Sequence, residues 1–121
     1  MRIIGFSIEW PKLEQDEFTT FRFQRKDRDW SIGEAVQVRI KPRSKGGGIR
    51  KGVAVIMHKE NKGIADSVAI KNTEAVADGF PGGVPEMWRW FIKSHSPEQL
   101  AQPLYKLTLK WANTILANKH R

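Results

Sequence analysis

The chain has 121 residues, no cysteine, and a formal charge of +8 from 21 Lys and Arg against 13 Asp and Glu. Its length fits one domain around one core, and the missing cysteines exclude disulfides, thiolate metal sites and cysteine nucleophiles. With 40% apolar and 28% charged residues the composition is that of a globule, not a disordered chain, and the excess of cations favours a polyanionic partner through phosphate contacts.

No apolar run approaches the roughly 18 residues a membrane-spanning helix needs. Met1 to Phe6 carry one charge and a short apolar run before the chain turns acidic, which does not read as a signal peptide. A cytoplasmic chain without a membrane partner is the expectation, since cysteine-free chains fit an intracellular compartment.

Residues 2–9 predict a first strand, with Ile4, Phe6 and Ile8 alternating against Ile3, Gly5 and Ser7, and Pro11 stopping it. Residues 12–17 are polar and suit a turn or short helix. Residues 18–24 are aromatic and β-branched and predict a strand. Phe21 and Phe23 share one of its faces; Thr20, Arg22 and Gln24 share the other, which is expected to look at solvent or a ligand. After a charged loop at 25–29 and a turn at 30–34, residues 35–41 alternate strictly, with Val36, Val38 and Ile40 inward.

Residues 43–52 predict a glycine-rich basic loop, 53–59 a strand, 60–63 a turn and 67–71 a short strand. Residues 73–78 suit a short helix capped by Asn72 or Thr73, with Gly79 just past its end. Pro85 opens a second helix over 86–93 that places Met87, Trp90 and Phe91 on one face. Residues 96–100 suggest another helical turn. Residues 104–111 alternate again as a last strand, and 112–121 form a basic tail. Strands, then helices, then a closing strand predict an α+β fold: a single domain over 1–121, with its core at about 2–111. Its sheet would be a small, mostly antiparallel β-barrel with short helices packed beside it.

Two constellations could carry chemistry. Arg39, Lys41, Arg43, Lys45, Arg50 and Lys51 surround three glycines without an acid among them. Glycine lets backbone approach phosphate and the cations neutralise it, although the Gly-Lys-Ser/Thr ending of a Walker loop is missing. Thr19, Thr20 and Arg22 on a strand, with Asp78 and Phe80 downstream, supply hydroxyl, guanidinium and carboxylate groups able to hold a base edge or a phosphate. The alternative for both is a solvated face. The aromatic residues read mainly as packing, with one of Trp88 and Trp90 free to stack a base if exposed. His58, His95 and His120 are scattered without metal-ligand spacing, so neither a metal nor a cofactor is expected.

Three short motifs in order resemble an ASCH domain, a branch of the PUA-like barrels: Thr19-Thr20-Phe21-Arg22, Trp30-Ser31-Ile32-Gly33-Glu34 and Ala75-Val76-Ala77-Asp78-Gly79-Phe80. The resemblance implies a barrel with a cleft between sheet and helices, lined by Thr19, Thr20, Arg22, Trp30, Asp78 and Phe80, and an RNA-linked or nucleoside-linked function. In some members a lysine near the threonine motif, a threonine and an acid from the short helix hydrolyse an amide on a modified cytidine; ribonuclease activity is attributed to others. Here the position expected for that lysine, three before Thr20, is Glu17, and the nearest upstream lysine is Lys12. Thr20, Asp78 and Glu17 are therefore the candidate catalytic residues, with Glu17 and Asp78 as a conceivable acid–base pair. The expected function is binding of RNA or a nucleotide. The alternatives are a hydrolase of RNA or of a modified nucleoside, and a protein-interaction module. The ligand and the oligomeric state stay open.

Overall fold

A computed structural model describes residues 1–64 and 67–113; most of the basic tail expected at 112–121 lies outside them. Five strands, β1 (Arg2–Phe6), β2 (Glu17–Phe23), β3 (Ala35–Ile40), β4 (Ile49–Gly63) and β5 (Leu104–Trp111), form one sheet in the order β1-β3-β4-β5-β2. The sheet curls into a half-barrel. Three short helices, α1 (Asn72–Asp78), α2 (Val84–Ser94) and α3 (Pro97–Leu100), lie between β4 and β5 in the chain. The pairing is antiparallel except at β1 and β3, which run parallel from Arg2 opposite Val36 to Phe6 opposite Ile40.

Period-two alternation distributes the side chains to two cores. Ile4, Phe6, Phe18, Val36, Val38, Ile40, Ala54, Ile56, Leu107 and Leu109 fill one, with Trp30 and Leu13. Phe21, Phe23 and Leu104 form the other with Ala75, Phe80, Met87 and Phe91 from the helical segment. Both faces of β2 are thus covered. The face of Thr20 and Arg22, expected to look outward, points instead into the half-barrel beside Phe18, and Thr20 is only 4% exposed. The curl of the sheet explains the difference. It brings the two edge strands β1 and β2 toward each other, and the Arg22 guanidinium spans the seam, donating from Nη2 to the Gly5 carbonyl at 2.7 Å.

Two further expectations change. Residues 60–63 do not turn; β4 continues through them, paired with β5 at Lys59–Leu107, Glu60–Lys106 and Asn61–Tyr105, with irregular register at Ile56/His58 and Asn61/Gly63. The buried Lys62 that makes this stretch look turn-like is held by Glu74 of α1 at 2.8 Å and Glu60 at 3.0 Å. Residues 67–71 do not form a strand; one backbone bond, from Ala69 to Lys62, ties them to β4. Arg50 and Lys51, expected in a loop, lie on β4, which begins at Ile49.

Helix starts and stops follow local chemistry. Asn72 does not cap α1; it lies inside that helix, and its Oδ1 accepts the Val84 N–H at the start of α2. Ser96 caps α3 by accepting from Gln99 N. Gly79 ends α1 at φ 119°, and a Cβ there would stand 2.7 Å from the Trp10 ring, so both backbone and space call for glycine. No helix among the described residues is long and apolar enough to cross a membrane.

Candidate functional site

Between β1 and β2 the chain makes one 3-10 turn, Pro11–Glu14. Pro11 suits its first position because a missing N–H costs nothing there. The turn sinks Leu13 into the barrel core and carries Lys12 past the free edge of β2. The Lys12 ammonium lies 5.4 Å from the Phe6 ring centre and 5.6 Å from that of Trp10. Its counter-ion is Asp78, the last residue of α1, at 3.1 Å; the two side chains are 5% and 6% exposed. Thr19, on the outer face of β2, donates its hydroxyl to the same Asp78 Oδ1 at 3.0 Å. Amine, carboxylate and hydroxyl thus meet at one oxygen, from a turn, a helix end and a strand.

Arg22 completes the group from the other face of β2. Its Nε donates to Thr20 Oγ1 at 3.2 Å and its guanidinium sits 4.8 Å from the Phe6 ring centre. The cluster holds two cations and one carboxylate. Burial holds the Lys12 ammonium down at about 8, against the opposing pull of Asp78, and Arg22 adds repulsion. Burial likewise lowers Arg22 to about 10. Asp78 is raised, because burial outweighs Lys12, the Thr19 hydrogen bond and Arg22. A lysine whose proton is labile near pH 8, beside a hydroxyl and an oriented carboxylate, can exchange protons with a reacting group.

Thr19 and Asp78 are in direct contact, with Arg22 near enough for its charge to act on the carboxylate. Thr20 stands on the opposite strand face and pairs with Arg22, not Asp78. Glu17 is exposed at the start of β2 and has no hydrogen bond to Asp78, so the carboxylate pair is not formed. The amine that does reach Asp78 is that of Lys12, the nearest lysine upstream of Glu17 in the chain. Lysine is rarely buried, and nothing in the local pattern marks this one beyond its position between Trp10-Pro11 and Leu13.

Trp30 and Phe80 are packed residues. Trp30 is 5% exposed in the barrel core, with Arg2 and Arg25 at 4.4 and 5.2 Å from its ring centre. Phe80 lies against Trp10 and Trp90 in the helical core. Both Trp88 and Trp90 are half-buried against that core.

The six basic residues divide into two groups. Arg39 is engaged internally, with Gln37 and with the Gly47 carbonyl. Lys51 pairs with Glu9 at 2.6 Å and Glu14 at 3.6 Å. Lys41, Arg43, Lys45 and Arg50 are exposed and make no ion pair among the described residues. No set of three His, Asp or Glu side chains gathers to hold a metal among those residues. Comparisons with protein-family models, curated proteins and solved structures returned no match.

Proposed function

We propose that this chain is a hydrolase of the ASCH branch of the PUA-like barrels and cleaves an amide borne by a nucleobase. The observation that carries the reading is the shared oxygen of Asp78, which holds the buried Lys12 amine and the Thr19 hydroxyl together. With its proton labile near pH 8, Lys12 is divided between amine and ammonium under mild conditions.

The neutral amine takes the Thr19 proton as the hydroxyl oxygen bonds to the acyl carbon. Arg22, buried nearby, favours the negative charge that develops on the carbonyl oxygen. The carbon–nitrogen bond then breaks, and Lys12 returns the proton to the departing amine. Water repeats the sequence on the threonine ester, releasing the carboxylic acid and restoring Thr19. Asp78 orients the amine and the hydroxyl throughout. Thr19, partly exposed on the outer face of β2, marks the side from which a base would arrive.

The test is turnover of an N4-acylated cytidine. Lys12→Met, Thr19→Val and Asp78→Asn are each expected to lower kcat by about a hundredfold or more, the usual scale for a positioned proton-transfer group. Because the neutral amine is the active form, kcat/KM should climb as pH rises through about 8 in the wild type. If the wild type turns over no nucleoside amide across that limb, the hydrolase reading fails.

A further inference from the structure

From residue 35 to residue 59 the chain contains no Asp or Glu and seven Lys and Arg. That span is the β3–β4 hairpin. At its tip Gly46, Gly47 and Gly48 take φ of 85°, 80° and 75° in succession, a run of left-handed backbone that residues with side chains rarely adopt. Gly48 has no alternative, since a Cβ there would lie 2.0 Å from the Ile40 carbonyl oxygen. At Gly46 nothing stands within 4 Å of the Cβ position, so its backbone is open to an approaching group. Lys41, beside the tip, also has left-handed backbone at φ 51°. Lys41, Arg43, Lys45 and Arg50, exposed and without an ion pair among the described residues, flank this open backbone along the chain.

The hairpin stands next to the candidate site. Lys41 N–H donates to the Phe6 carbonyl at 2.7 Å. Pro42 packs on Gly5, where a Cβ would come 2.6 Å from Pro42 Cγ. Gly5 is the residue whose carbonyl holds Arg22, and Phe6 is the ring under Lys12. Lys51 reaches from the hairpin to Glu9 and Glu14, on either side of Lys12 in the chain. Two residues of β1 therefore separate these exposed cations from the buried Lys12–Asp78 site.

We infer that the hairpin is a docking surface for the sugar–phosphate backbone of a single-stranded polynucleotide, so that the base presented at Lys12 belongs to a strand and not to a free nucleoside. The location of the base rests on the hydrolase reading; the docking stands on the hairpin. Cations spaced along an open glycine backbone suit successive phosphates, each neutralised with release of a counterion. A strand rather than a duplex is required because a paired base cannot reach a buried site.

The experiment is fluorescence anisotropy with labelled single-stranded RNA and DNA oligonucleotides across about 50 to 200 mM salt. The Arg43→Glu/Lys45→Glu protein is compared with an Arg89→Glu/Lys93→Glu control of equal charge change on α2. The hairpin pair should weaken binding at least about tenfold and flatten the salt slope by roughly 1.4, at about 0.7 for each phosphate left without its cation on a single strand. The control should change affinity less than threefold on the same logic, since long-range charge is screened within about 10 Å. Preference for RNA over DNA, or the reverse, identifies which strand the surface takes. Equal weakening by both pairs, no binding to either strand, or binding only to anionic lipid vesicles would overturn the docking surface whatever the turnover. An absence of turnover on nucleoside amides would remove the hydrolase reading and leave this measurement standing.

Discussion

Placing the Lys12 ammonium beside Phe6, Trp10 and Asp78 removes it from water, and Asp78 is what offsets that cost. Removing one partner should therefore hurt more than removing both. Lys12→Met leaves a buried carboxylate with only the Thr19 hydroxyl and an Arg22 guanidinium that makes no hydrogen bond to it, at a cost of about 3 kcal/mol. Asp78→Asn should be milder, because an unpaired buried lysine sheds its proton. The double variant should regain most of the loss, and urea unfolding of the four proteins at pH 7 reads all three values. The pH dependence carries its own sign. The folded value of Lys12, about 8, lies below its ordinary 10.5, so the fold penalises the charged amine below pH 8 and the penalty is relieved as pH rises from 8 to 10.5. The stability gap between wild type and Lys12→Met should widen in favour of the wild type over that window. A gap that stays flat from pH 7.5 to 10 would mean that the amine is not desolvated.

Among the elements, the half-barrel is held at its seam by side chains, since β1 and β2 share no backbone ladder. Arg22 is the main tie, with its bond to Gly5 and its guanidinium over Phe6. Replacing it by Met keeps the apolar stem and removes the bond, which should cost about 2 kcal/mol for a charged hydrogen bond to a buried acceptor. Amide exchange in Arg2–Phe6 should quicken before that in β4 or β5, since β1 is paired on one side only. Gly79 ties α1 to the same region through Trp10. Gly79→Ala meets both the left-handed backbone and a ring at 2.7 Å, so a loss of about 2 kcal/mol or more in thermal unfolding is expected. The strands most legible in the sequence are those whose alternation is simple. Residues 104–111 are legible to the residue, because Leu107 and Leu109 alternate with Lys106, Thr108 and Lys110. Residues 60–63 mimic a turn, because Lys62 is polar by type and its partner, Glu74, lies twelve residues away on α1. Lys12 is hidden for the same reason: its partner lies sixty-six positions downstream and no local pattern announces it. The family resemblance points to Thr20 and not Thr19; which face of β2 meets Asp78 depends on which side the helices cover, and alternation alone does not say.

At the scale of the whole molecule, α1 is fastened to the sheet by charge at both ends, and the two fastenings respond to acid in opposite directions. At the Asp78 end, the carboxylate is raised by burial above its ordinary 3.8, so protonation is easier in the folded chain and falling pH does not loosen it on that account. At the other end, Glu74 accepts from Lys106 of β5 and pairs with Lys62 of β4, each at 2.8 Å, and takes the Lys71 N–H at the helix start. Burial pushes Glu74 up, but the two ammonium groups and the N–H outweigh it and hold the carboxyl at about 2. Its ordinary value is 4.5, so its contribution is complete above pH 4.5 and is lost as pH falls from 4.5 toward 2. The cations it leaves then repel each other in a chain already at +8, whose net charge grows as the other carboxylates protonate. Acid unfolding of the wild type should therefore set in below about pH 4.5. Glu74→Gln should lower stability at pH 7 by about 1–2 kcal/mol, allowing for solvent screening at the rim of the network. Its stability should also fall less between pH 5 and pH 2.5 than that of the wild type. Far-UV circular dichroism across that range compares the two curves; if they run parallel, the Glu74 network does not set the acid limit of this fold.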